Sequence, residues 1–165
     1  MPTQTYTPIA IQVLASATTS VTFNSFSGYT DLVLVAVGNA SANGYTKLYF
    51  NNVTTSTYSM TNLYGTGSSA GSSRQITGAG LGYIQCHYLY TGSSQAPLKI
   101  NLMNYSNTTT NKTVLIREDD ATYEVTAKVG LWQSTNAITS ISLDRVSGNW
   151  TVGSTFSLYG IKAGS

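Results

Sequence analysis

The chain has 165 residues, a net charge of +2 and only 8% charged residues, against about 25% in an average soluble domain. Its basic residues stand singly, with no stripe to neutralise phosphates, so nucleic acid is not expected as a partner. With 41% hydrophobic residues the chain can build one core without metals or disulfides, and the single cysteine, Cys86, excludes an internal disulfide or a cysteine-rich zinc site.

Residues 1–8 carry two prolines and read as a polar N-terminal arm; residues 9–165 read as a single β-sandwich domain. Residues 9–17 imitate the apolar core of a signal peptide. They lack a positive leader and alternate Ile9, Ile11 and Val13 with Ala10 and Gln12, which predicts a first strand. Val21 and Phe23 mark the next. Leu32 to Val37 is a continuous apolar run, the pattern of a strand covered on both faces. Asn43-Gly44 predicts a hairpin, after which Leu48 and Phe50 point one way and Tyr45, Lys47 and Tyr49 the other. Residues 65–80 are rich in Gly and Ser and read as a long loop. Strands are then expected over residues 83–90, 98–105, 113–117, 123–132, 138–146 and 156–161, the last inside a sheet. Roughly ten strands with no helix predict an all-β, antiparallel two-sheet sandwich, jelly-roll-like. No run is long enough to cross a membrane as a helix, and no membrane partner is expected.

Groups capable of chemistry are sparse. Cys86 shares a strand phase with Ile84 and is expected buried and inert. His87, the only histidine, is expected on the more polar face of that strand. Gly67 to Gly71 fits the G-x-S-x-G pattern of a nucleophile elbow, but no helix pattern follows to strain the serine outward. Gly78 to Gly82 lacks the spacing of a phosphate cradle and reads as a turn. Neither enzyme activity nor a cofactor is expected.

Arg117, Glu118, Asp119, Asp120 and Glu124 crowd one predicted turn and read as a solvated hairpin tip, with a hard-cation site or ion pairs to a neighbour's Arg145 or Arg74 as alternatives. Glu124, Thr126 and Lys128 mark the expected outer face of their strand. Trp132 shares their parity, so it is exposed unless Gly130 bulges the strand and swings it inward. Trp132 and Trp150 are open to three roles: core packing, a protein interface or glycan stacking. The Asn-x-Ser/Thr triplets at Asn39, Asn52, Asn104, Asn107, Asn111 and Asn149 arise readily in so Ser/Thr-rich a chain and are not read as glycosylation sites.

Several stretches together resemble small virion structural proteins of tailed bacteriophages, cyanophages included. They are residues 5–9 (Thr-Tyr-Thr-Pro-Ile), 29–34, 104–109 leading into 112–115, 129–132, 137–141 and 153–162. The resemblance implies a multimeric β-sandwich virion component with no catalytic residues. A capsid decoration (cement) protein is the leading expectation: a homo-oligomer, with a trimer favoured, seated on the major capsid protein at the capsid surface. A tail-tip or fibre domain binding host-surface glycan is the alternative. Candidate interface residues are Tyr6, Pro8, Arg117, Glu118, Asp119, Asp120, Trp132 and Trp150.

Overall fold

Short runs of alternating apolar residues broken by Gly, Asn and Ser give strands and turns throughout. The computed structural model describes residues 5–76, 82–92, 95–120 and 122–162. Among these are twelve strands: β1 (Tyr6–Val13), β2 (Ser20–Asn24), β3 (Asp31–Gly38), β4 (Gly44–Phe50), β5 (Tyr58–Gly65), β6 (Ala70–Gln75), β7 (Ile84–Leu89), β8 (Ala96–Leu102), β9 (Lys112–Asp120), β10 (Glu124–Trp132), β11 (Ser140–Arg145) and β12 (Thr155–Ile161). They form an eight-stranded sheet, β1-β12-β3-β8-β9-β10-β5-β6, and a four-stranded sheet, β2-β11-β4-β7. Every pairing is antiparallel. The fold is thus an all-β sandwich, as the sequence pattern predicts.

The core lies between the sheets. Leu32, Leu34, Leu98, Ile100, Val114, Ile116, Phe156 and Leu158 of the larger sheet pack with Leu48, Phe50, Ile84, Cys86, Ile141 and Leu143 of the smaller. Leu48 and Phe50 point inward as expected, and Tyr45, Lys47 and Tyr49 stay partly exposed. The final strand, β12, sits between β1 and β3, which explains why apolar residues run almost to the C-terminus.

Four local expectations are corrected. Asn43-Gly44 does not join a hairpin, because β3 and β4 lie in different sheets; the turn carries the chain across, and Asn43 Oδ1 accepts the Thr91 amide at 2.7 Å. Residues 70–75 are a strand paired to β5, so much of the expected 65–80 loop is a hairpin; residues 77–80 lie outside the described residues. Tyr6, Thr7 and Pro8 are not a free arm: they pair with Ile161, Gly160 and Tyr159, and a bulge follows Pro8, whose missing N–H suits an edge strand. Residues 1–4 of the expected arm lie outside the described residues. Finally, β10 carries no bulge, since its register with both neighbours is continuous through Gly130.

Candidate assembly surface

Register and the two-residue period decide which way each side chain of β9 and β10 points. The even-numbered residues Lys112, Val114, Ile116, Glu118 and Asp120 face the interior, as do Thr126, Lys128, Gly130 and Trp132 across from them. Thr126 and Lys128 therefore stand opposite to their expected outer placement. Trp132 is inward because it shares their face, with no bulge needed. The strand tolerates charge inside because Lys128 Nζ ion-pairs with the Glu118 carboxylate, both side chains being about 95% buried, and Lys128 also reaches the Gln85 carbonyl at 3.4 Å.

The remaining inward candidates are similarly occupied within the chain. Trp132 is buried, stacked on Tyr58 with centroids 6.2 Å apart and tilted against Phe50 at 5.6 Å. Trp150 is buried edge-on to Phe156 at 4.9 Å, with the Arg145 guanidinium 5.4 Å from its ring centroid. Core packing is the role the structure gives them; the two that required them exposed, a protein interface and glycan stacking, are removed. Asp120 closes the β9–β10 turn, its Oδ1 accepting the Thr122 amide at 3.0 Å and the Thr122 hydroxyl at 2.6 Å. The turn is a hairpin tip as expected, but Glu118 and Asp120 are buried, so it is not fully solvated. Among the described residues no group of three or more His, Cys, Asp or Glu side chains is placed to hold a metal ion.

Arg145, weighed as a partner for a neighbour's acids, is instead buried in its own sandwich. It donates to Thr46 Oγ1 at 2.9 Å and to the carbonyls of Gly44 at 2.8 Å and Ala42 at 3.2 Å. Burial without a facing carboxylate lowers its pKa to about 10. Lys112 is likewise buried and capped by the carbonyls of Thr110 and Thr135, at 2.8 and 3.2 Å, and burial lowers its pKa too. Cys86 is fully buried, which pushes its thiol pKa well up. His87 stands in β7, and its expected orientation lies outside the described residues. Ser69 of the G-x-S-x-G match sits in the β5–β6 turn, where its carbonyl accepts the Thr66 amide at 2.9 Å; no helix follows.

The odd-numbered residues make the other face. On the outside of the larger sheet, Leu63 lies across from Ala127, Ala127 from Arg117, Arg117 from Lys99 and Lys99 from Val35. The next row reads Thr61, Val129, Leu115, Asn101, Val33 and Tyr159, ending at Pro8. Ile11, Val13 and Tyr6 extend the face along β1. Leu63 and Ile11 are more than 60% exposed, and Leu115, Val125 and Val129 between 38% and 49%. Open hollows of about 380 Å³ and about 410 Å³ flank Arg117: Leu63, Leu115, Ala127 and Val129 line the first, and Val35, Pro97, Lys99 and Asp119 the second. Of the eight candidate residues, Tyr6, Pro8, Arg117 and Asp119 fall on this face, and Glu118, Asp120, Trp132 and Trp150 point inward.

Sequence reading missed Leu63, Lys99, Leu115, Ala127 and Val129. A signal for them existed: Val125, Ala127, Val129 and Leu131 are all apolar at one parity of β10, whereas the other parity mixes Glu, Thr, Lys, Gly and Trp. A second feature had no local signal. Tyr45, Tyr88, Tyr90 and Tyr123 form a row with successive ring centroids 4.6, 4.6 and 3.7 Å apart, joining β4, the end of β7 and the β9–β10 turn. Compared with known proteins, the chain matches no protein family and no curated protein sequence.

Proposed function

We propose that the chain is a virion structural protein of a tailed bacteriophage, a capsid decoration (cement) protein seated on the outside of the head. The single observation that carries the reading is the outer face of the eight-stranded sheet, where Ile11, Val13, Leu63, Leu115, Val125 and Val129 leave apolar surface exposed. Isolated surface apolar residues need no explanation, but a contiguous apolar sheet face marks an interaction surface. Eight strands about 4.8 Å apart, each about seven residues long, make the whole face, its charged and polar residues included, about 34 by 23 Å, on the order of 800 Å². That equals one partner's share of a standard protein–protein interface.

Other features support the same reading. Leu32 to Val37 has the composition of a strand covered on both sides, and on its outer side Val33 is buried in the single chain while Val35 and Val37 are only half-buried. The strand order also supports a jelly-roll-like wiring: β2-β11-β4-β7 in one sheet, and β3, then the β8–β10 meander, then β5 and β6 in the other, interleave as two Greek keys do. In this reading the protein works by contact, without catalysis or cofactor. A homo-oligomer, a trimer in our reading, repeats that contact about a local symmetry axis of the shell. The tail-tip or fibre alternative loses the two exposed tryptophans and keeps the tyrosine content and the Gly/Ser-rich 65–80 segment as its support.

The test is to mix purified protein with expanded shells lacking it and measure co-sedimentation. Saturable binding at a fixed number of copies per shell is expected; binding to tails alone, or to neither, would overturn the reading.

A further inference from the structure

Each of the eight basic side chains can be followed to its environment. Lys112, Lys128 and Arg145 are buried and bonded, Lys47 lies over the Tyr83 ring at 5.3 Å, and Lys162 over Tyr29 at 5.7 Å. The remaining three, Arg74, Lys99 and Arg117, have no ion pair, hydrogen bond or ring contact among the described residues. All three lie on the outer face of the larger sheet: Arg74 across from Thr61, and Lys99 directly across from Arg117.

Like charges directly opposite on adjacent strands destabilise a sheet unless something external offsets them. Two acids share the face. Asp31 already accepts the Asn104 amide at 2.6 Å, and Asp119 stays beyond ion-pair distance of either cation. We propose that Lys99 and Arg117 form the receptor for a carboxylate on a different protein, an Asp or Glu side chain set in an apolar surface of the shell subunit. The two hollows take the apolar neighbours of that acid. A second copy of this chain is the poorer occupant, because it presents the same excess of cations. This inference rests on the capsid reading and names the partner chemistry of the same face.

The test combines three measurements on the full chain and its K99E, R117E and K162E variants, with cooperative unfolding at a midpoint no lower than the wild type's as the check on folding. In shell binding, K99E and R117E each lose about tenfold or more in affinity, and K162E, whose cation lies off this face, binds like the wild type. A zero-length carbodiimide cross-links Lys99 of the wild type to an acidic side chain of the shell subunit, identified by mass spectrometry. Sedimentation of the protein alone gives the same mass for the wild type, K99E and R117E. If the wild type binds shells and the reversals bind equally well, the inference is wrong and the capsid reading stands. A change of mass in K99E or R117E would make the face a contact between copies and overturn it. No shell binding by the wild type would remove the capsid reading and this inference together.

Discussion

Lys128→Met tests the inward placement of the charged side of β10. In the fold, Lys128 and Glu118 are about 95% buried and paired with each other. Removing the lysine takes the buried Glu118 carboxylate's cation away from it, and breaking a buried pair in this way costs about 3–5 kcal/mol. That is a large part of a typical domain stability of about 5–15 kcal/mol. At about 2–4 °C per kcal/mol for a chain of this size, the melting temperature should fall by roughly 6–20 °C. Urea unfolding gives the cleaner value: the midpoint should drop with the slope unchanged, since the surface exposed on unfolding is the same. Glu118→Leu combined with Lys128→Met should recover most of the loss, because an apolar pair of similar volume carries no desolvation penalty. As a counterpart, Val129→Glu on the opposite face should change the stability of the protein alone by no more than about 0.5 kcal/mol. A Lys128→Met chain within about 0.5 kcal/mol of the wild type, or a strongly destabilised Val129→Glu chain, would mean the two faces are reversed.

Three further outcomes follow from the buried polar groups. Arg145→Lys cannot reach Thr46, Ala42 and Gly44 together, so it should cost about 2–3 kcal/mol by urea unfolding, although the charge is kept. Tyr58→Phe removes a hydroxyl that donates to the Val53 carbonyl at 3.0 Å and accepts the Phe50 amide at 3.0 Å, with an expected loss of about 1–3 kcal/mol near neutral pH. Burial raises the Tyr58 pKa from 10.0 to about 12, so between these values the folded state holds more protons than the unfolded one. The wild-type advantage over Tyr58→Phe should therefore be full below pH 10 and shrink as pH rises toward 12, and Arg145, present in both chains, cancels from the comparison. Cys86 should resist a thiol reagent in the native protein and react at a rate set by global unfolding; rapid stoichiometric labelling of native protein would show the core open at β7.

The sequence made the class of fold legible because the two-residue period, the turn residues and the lack of any helical period all agree. It made the exposed side of β4 legible too, since Leu48 and Phe50 contrast plainly with Lys47. It failed at β9 and β10 for a physical reason. Alternation shows that two faces differ, and polarity normally says which is wet, but here a buried Lys–Glu pair puts charge inside and Val125, Ala127 and Val129 outside. The Asn43-Gly44 signal specifies a tight reversal and not the strand it leads to, so crossing between sheets looks locally like a hairpin. The tyrosine row depends on contacts between residues as far apart as 45 and 123, which only pairing at long range creates. Of the interface candidates, Arg117 and Asp119 reach the outer face while Glu118 and Asp120 between them do not, a split set entirely by the register of β9.

The most direct measurement is an electron cryomicroscopy map of shells decorated with the purified protein, at a resolution that orients the sandwich. Copies are expected at local symmetry axes with the outer face of the eight-stranded sheet against the shell and Lys99 and Arg117 beside an acidic residue of it. A map with that face turned to solvent, or shells with no added density, would contradict the account.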